Sequence, residues 1–167
     1  NGNQNRPHPN PTPGHPLLLR NSPRLLRGEG VEQKLDELKR DNFVVLKDFW
    51  ENIDKIFIEN ELEETYIFFP DPWDKSDKTR KKRLVQFSFL ENLYLATSKW
   101  WKLIFKTDHK WYFDFVLDEI KKTNWKLDFK TYDYEKEWLY DKNKITEFEQ
   151  IFRGQDLKVN YLELSKS

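Results

Sequence analysis

One aspartate of this chain lies between two prolines and just before a dense run of positive charge. Asp71 stands in the segment FPDPW, and residues 74–83, DKSDKTRKKR, hold six basic and two acidic side chains. Each proline fixes its own φ and disfavours helical geometry in the residue before it, so we expect Asp71 to be a rigidly presented carboxylate. Such a carboxylate can stabilise positive charge, and clustered lysines and arginines can hold phosphates. The alternative is an Asp-Pro turn beside an ordinary solvated charge run.

Composition excludes several other chemistries. The chain has no cysteine, so it has no thiolate nucleophile, no disulfide and no cysteine-based zinc site. Of its five glycines only Gly154 lies beyond residue 30, which excludes a glycine-rich phosphate loop from the body of the chain. The body has one histidine, His109, and we expect it to begin a surface helix rather than to bind a metal or catalyse. The absence of a long apolar run predicts a soluble, cytoplasmic protein without a membrane partner.

Regularly alternating elements must position Asp71. Hydrophobic periodicity predicts helices over residues 31–42, 49–59, 84–96, 111–122 and 145–152, and strands over residues 43–46, 65–69, 102–107, 125–132 and 157–164. This alternation predicts an α/β domain with a mainly parallel sheet and a C-terminal antiparallel hairpin. Strand 65–69 ends directly before Pro70, and ligands of open parallel sheets bind outside the carboxyl ends of the strands.

The N-terminal thirty residues differ from the rest. Residues 1–30 hold six of the eight prolines and four arginines against one acid, which predicts an extended arm before a domain of residues 31–167. Its Arg20, Arg24 and Arg27 could contact RNA phosphates, or the arm is a linker or a non-native segment. Residues 17–19 could add an edge strand.

Three short boxes in order resemble one family. FPDPW with its basic run, Phe105-Lys106-Thr107-Asp108 and Thr146-Glu147-Phe148-Glu149 are similar to motifs of the bacterial tRNA (guanine-N7-)-methyltransferases, over residues 31–165. The resemblance implies a Rossmann-like sheet that transfers a methyl group from S-adenosylmethionine to N7 of a guanine in tRNA. N7 already carries a lone pair, so this reaction needs alignment and charge stabilisation rather than a base.

The resemblance also implies roles for individual residues. Asp71 would orient and stabilise the guanine, Thr146 and Glu149 would hold its Watson–Crick edge, and Asp108 would be a further pocket carboxylate. Asp48 would approach the adenosine of S-adenosylmethionine, near Phe69 and Pro70. The tRNA backbone would be held by five basic residues, namely Lys75, Arg80, Lys81, Lys82 and Arg83. No metal is implied.

The chain departs from the family in three places. Its basic loop is one residue longer than usual, with Asp74 where the family commonly has proline. The N-terminal glycine-rich loop and the strand after it have no counterpart, so the first two strands of the usual sheet are expected to be missing. Strand 43–46 would then close directly on strand 65–69, unless the arm, a second copy or an upstream segment fills the gap. Residues 98–101 replace a turn that usually holds a glycine pair. Trp100 and Trp101 are expected in the core or in a pocket wall, and the alternative is a platform for base stacking. The alternative function is a truncated, non-catalytic tRNA-binding relative that needs a missing segment or a partner for its cosubstrate site.

Overall fold

The computed structural model describes residues 17–18, 45–46, 50–73, 79, 81–138, 140 and 145–167. The chain divides into two compact units, Asn1–Phe49 and Trp50–Ser167. The predicted helix over residues 31–42 lies outside the described residues, as do Asp48, Lys75 and Arg80.

The first unit contains a two-stranded parallel sheet. Strand β1, Leu17–Leu18, pairs with strand β2, Val45–Leu46. Neither strand belongs to the sheet of the second unit. The predicted direct pairing of strand 43–46 with strand 65–69 is therefore wrong for the described residues. Strand β2 pairs instead with Leu17 and Leu18 of the N-terminal arm, in a sheet separate from that of β3.

The second unit alternates helices and strands. It starts with a 3-10 turn, Trp50–Asn52, and a short helix α1, Ile53–Ile56, where residues 49–59 were predicted as one helix. That helix ends early because Phe57 is extended and buried against the core. The remaining elements are β3 (Leu62–Phe68), α2 (Phe87–Ala96), β4 (Thr97–Thr107), α3 (Lys110–Ile120), β5 (Lys126–Thr131), a 3-10 turn (Tyr134–Lys136), α4 (Glu147–Gly154) and β6 (Asn160–Ser165).

The sheet of the second unit has the order β3-β4-β6-β5. Strand β3 is parallel to β4, and β6 is antiparallel to both of its neighbours. Three strands therefore run in one direction and only β6 is reversed, which confirms the mainly parallel α/β sheet with a C-terminal antiparallel hairpin. No helix of the described residues is long and apolar enough to span a membrane.

Side chains on the two faces of β4 have different partners. The Phe105 ring lies on the face covered by α3, with ring centroids 5.9 Å from Tyr112 and 6.3 Å from Phe113. Strand residues alternate between faces, so Ile104 and Lys106 lie on the opposite face. A second apolar cluster forms there from Ile104, Tyr134, Val159 and Tyr161.

Strand β4 begins five residues earlier than predicted and includes both tryptophans of residues 100–101. Trp100 is 78% exposed and Trp101 is 40% exposed, so the prediction that they lie in the core is wrong. The backbone of Trp100 is left-handed, with φ 71°. This is a conformation that glycine adopts more readily than other residues.

Candidate active site

Two of the three sequence boxes meet at one edge of the sheet. Phe68 ends β3 and is the register partner of Lys106, the penultimate residue of β4. Because the two strands are parallel, the segments after them, from Phe69 and from Asp108, leave the sheet side by side. Reversed strand β6 begins at the same edge, where Asn160 donates its amide to the carbonyl of Thr107 at 2.8 Å.

The turn that carries Asp71 is strained and is held at both ends. Phe69 has φ 49° and Trp73 has φ 45°, values that L-residues other than Asn and Asp rarely adopt. The Phe69 N–H donates to the carbonyl of Lys106 at 2.8 Å, and its ring lies 5.1 Å from that of Phe152. Pro70 is buried and Asp71 is half-buried. Strain of this kind persists only where surrounding contacts over-determine the conformation, and it is common at functional sites.

Arg83 holds the far end of this turn. Its Nε donates to the carbonyl of Pro72 at 2.8 Å, and its guanidinium lies 4.2 Å from the Trp111 ring centroid and 4.6 Å from that of Phe115. The residue is only 2% exposed. We therefore place Arg83 among the residues that build the site rather than among those on its surface.

Two of the other predicted phosphate ligands lie on the surface. Lys81 and Lys82 are exposed, and the Lys82 ammonium lies 5.4 Å from the ring centroid of Trp73. The indole Nε1 of Trp73 is buried and has no hydrogen-bond partner among the described residues. Trp73 thus packs against Lys82, whereas Lys75 and Arg80 lie outside the described residues.

The third box begins helix α4, and its Glu149 lies against the face of the sheet that carries Lys106. The Thr146 hydroxyl accepts from the Glu149 N–H at 3.1 Å, as in a helix N-cap, and Thr146 is half-buried. Glu149 is completely buried, and its carboxylate pairs with the Lys106 ammonium at 3.0 Å. The two predicted guanine ligands therefore differ in burial, because Thr146 is half-buried whereas Glu149 is fully buried.

Lys106 is the residue that sequence reasoning missed. Its ammonium lies 4.4 Å from the ring centroid of Tyr134, 5.0 Å from that of Phe68 and 5.9 Å from that of Tyr161. Burial raises the pKa of the Tyr161 phenol, whose hydroxyl donates to Glu163, so this ring stays neutral. The available signal was a lysine inside the apolar strand sequence LIFKT, because a charge at a buried strand position needs a partner.

Asp108 and His109 lie between β4 and α3. Asp108 is exposed at the carboxyl end of β4. His109 is the N-cap of α3, and its Nδ1 accepts from the Tyr112 N–H at 3.3 Å, which confirms the predicted helix-start histidine. The described residues contain no cluster of His, Cys, Asp or Glu that could hold a metal ion.

The sequence of this chain is similar to those of known methyltransferases. A family model described as "Putative methyltransferase" matches residues 27–162. The tRNA (guanine-N(7)-)-methyltransferase of Bdellovibrio bacteriovorus is 39% identical over 115 residues, which are 69% of this chain and 54% of that protein. The tRNA (guanine-N(7)-)-methyltransferase of Lachnoclostridium phytofermentans is 33% identical over 130 residues, 78% of this chain and 60% of that protein. The chain thus spans little more than half the length of these curated relatives.

A solved structure supports the fold. One chain of the "Complex between the Haloferax volcanii Trm112 methyltransferase activator and the putative methyltransferase" superposes with a TM-score of 0.51 at 8% identity, over 83% of this chain and 68% of that one. At this identity the likeness concerns the fold alone, which is a Rossmann-like α/β fold. With the family match over most of its length, the chain belongs to the methyltransferase family that includes the tRNA (guanine-N7-)-methyltransferases.

Proposed function

We propose that this chain takes part in methyl transfer from S-adenosylmethionine to N7 of a guanine in tRNA, in the cytoplasm. The observation that carries the proposal is the fixed position of Asp71 at the carboxyl edge of the sheet. Its turn is held by the Phe69 hydrogen bond to Lys106, by the contact of Phe69 with Phe152, and by the Arg83 hydrogen bond to Pro72.

A fixed carboxylate suits this reaction. The purine becomes cationic as N7 gains a methyl group, and a pre-oriented negative charge stabilises that developing charge without reorganisation. No proton has to leave N7, so the site needs an aligned anion rather than a base. Asp71 supplies this anion in the proposal, and exposed Asp108 after the neighbouring strand supplies a second carboxylate at the same edge.

The guanine edge would be held by the start of α4. Thr146 is half-buried at the beginning of this helix and is the predicted contact that lies nearer the surface. Glu149 is buried behind it in its pair with Lys106, so we assign Glu149 to supporting Thr146 in this arrangement. The phosphates of the tRNA would be held by Lys81 and Lys82, continued by Lys75 and Arg80.

The cosubstrate, when bound, supplies a methyl group on a sulfonium centre. Phe69 and Pro70 fit the apolar part of such a group, since Pro70 is buried and the Phe69 ring is fixed against Phe152. These two residues would form an apolar wall beside it, whereas Asp48, which the resemblance assigns to the adenosine, lies outside the described residues.

The test is N7-methylguanosine formation in tRNA by this chain with S-adenosylmethionine. Replacing Asp71 by Ala is expected to lower kcat roughly 100- to 1,000-fold, the usual effect of removing one pre-oriented electrostatic group. Asp118→Ala is the matched control, because Asp118 is exposed on α3 and pairs with Lys121 only at the surface. Its kcat is expected to equal that of the wild type.

Two results would count against the proposal. If the folded wild-type chain forms no N7-methylguanosine, the proposed activity of this chain is contradicted. Binding of tRNA without methyl transfer would support the alternative of a truncated, non-catalytic tRNA-binding relative. An Asp71→Ala variant with unchanged kcat would contradict the role given to Asp71.

A further inference from the structure

We propose that Lys106 is a positioning residue that joins the three sequence boxes at the carboxyl edge of the sheet. The catalytic consequence rests on the proposed function, whereas the structural coupling does not. Lys106 belongs to the second box. Its carbonyl accepts from Phe69 of the first box at 2.8 Å, and its ammonium pairs with Glu149 of the third box at 3.0 Å.

The surroundings of the ammonium restrict it to one position. The side chain of Lys106 is 4% exposed and that of Glu149 is 0% exposed, so neither charge is solvated by bulk water. A buried charge is tolerated only when it is paired, and three aromatic rings within 6 Å add cation–π attraction. Hydrophobic residues of similar volume often fill such a place at no loss of stability. The geometry therefore points to a directional function of the pair rather than to packing alone.

The ion pair determines where helix α4 begins. Glu149 donates its N–H to the Thr146 hydroxyl at 3.1 Å, and the N–H of Gln150 donates to the Thr146 carbonyl at 3.1 Å. Anchoring the Glu149 carboxylate to β4 thus fixes the first turn of α4 and with it Thr146. One turn later Phe152 contacts Phe69, which lies two residues before Asp71. Lys106 in this way sets the separation between the two groups proposed to hold the guanine.

The test separates positioning from stability by using a single and a double variant. Lys106→Met leaves Glu149 buried without its cation, and its Tm is expected to fall by roughly 10 °C. The double variant Lys106→Met/Glu149→Leu removes both charges, and its Tm is expected to return to near the wild-type value. Despite this, amide hydrogen exchange over residues 147–154 should stay at least about 10-fold faster than in the wild type, because the directional anchor is lost.

The activity of the same double variant measures the consequence for the reaction. Its kcat for guanine methylation is expected to fall about 100-fold, as for a misplacement of about 1 Å, with a smaller change in KM for tRNA. Lys102→Met is the matched control. Lys102 lies four residues earlier on the same face of β4 and pairs with Glu163 at 3.2 Å, but its side chain is 47% exposed. It should retain wild-type exchange over residues 147–154 and wild-type kcat.

The inference is overturned if the double variant has a restored Tm and also shows wild-type amide exchange over residues 147–154. The ion pair would then only fill space. If the wild type forms no N7-methylguanosine, the proposed function fails and the exchange data alone decide on Lys106. Should the double variant be unfolded, Glu149→Gln is measured in the same way, because it keeps the side-chain shape and one oxygen acceptor. Wild-type exchange in that variant would also contradict the inference.

Discussion

Trp100 shows how a single residue can be unfavourable for the fold. Its φ of 71° is left-handed, and its side chain is 78% exposed, so few contacts offset the backbone strain. Left-handed geometry costs an L-residue about 1–2 kcal/mol, whereas glycine adopts it freely but loses about 0.5–1 kcal/mol of chain entropy on folding. Trp100→Gly is therefore expected to raise the free energy of unfolding by about 0.5 kcal/mol in urea denaturation.

The neighbouring residue provides the control for this prediction. Lys99 is also exposed in β4 but has no left-handed φ. Lys99→Gly should lower the free energy of unfolding by about 0.5–1 kcal/mol, because only the entropic effect of glycine remains. Equal effects of the two substitutions would show that φ at Trp100 carries no strain.

At the scale of elements, α3 caps the amino end of α2. The Phe87 N–H donates to the Glu119 carboxylate at 2.7 Å, and the Val85 N–H donates to the Tyr112 hydroxyl at 3.0 Å. The N-cap residue of α2, Gln86, makes no side-chain cap hydrogen bond of its own. The first donor of α2 and the N–H of Val85 just before the helix are thus satisfied by a neighbouring helix, which also fixes how the two helices pack.

Removing this cap should destabilise the domain. Glu119→Ala is expected to lower the free energy of unfolding by about 1–2 kcal/mol, as other lost helix caps do, measured by urea denaturation followed by circular dichroism. The adjacent Asp118→Ala, on the exposed side of α3, should change it by less than about 0.5 kcal/mol. Equal losses in the two variants would contradict the capping role of Glu119.

At the scale of the whole molecule, attraction of nucleic acid must come from local clusters of charge rather than from the net charge. The chain has 29 basic and 29 acidic residues, so its net charge gives no general attraction for nucleic acid. Exposed Lys81 and Lys82 belong to a segment of net positive charge beside the Asp71 turn. Attraction of tRNA is therefore expected at this edge and not over the whole surface.

This local attraction predicts how tRNA binding depends on salt concentration. Replacing Lys81 and Lys82 together by Ala should reduce the slope of log Kd for tRNA against log salt concentration by about 1.4 to 1.8, since each lost phosphate contact contributes roughly 0.7 to 0.9. Fluorescence anisotropy with labelled tRNA at several salt concentrations measures it. Lys121→Ala is expected to leave the slope unchanged, because Lys121 is a 74% exposed lysine directly after α3 and outside the proposed interface. If the wild type, the double variant and Lys121→Ala all had the same slope, Lys81 and Lys82 would not be part of the proposed interface.

The sequence by itself determined the features that depend on local physics. The spacing of hydrophobic residues predicted β3 and the order of helices and strands after it, because each helix or strand must bury one of its faces. The prolines around Asp71 and the strand before them predicted a carboxylate at the sheet edge, and the three ordered boxes indicated the family.

Only the tertiary structure decided how these pieces meet. The pairing of β2 with the arm, the capping of α2 by Glu119, the burial of Arg83 and the partnership of Lys106 with Glu149 all join residues far apart in the chain. A basic residue in a charged run and a carboxylate in a short motif have the same local sequence pattern whether they face solvent or a buried partner. Which of the two occurs depends on the elements that pack over them, because burying a charge is tolerated only where packing brings its partner within contact distance.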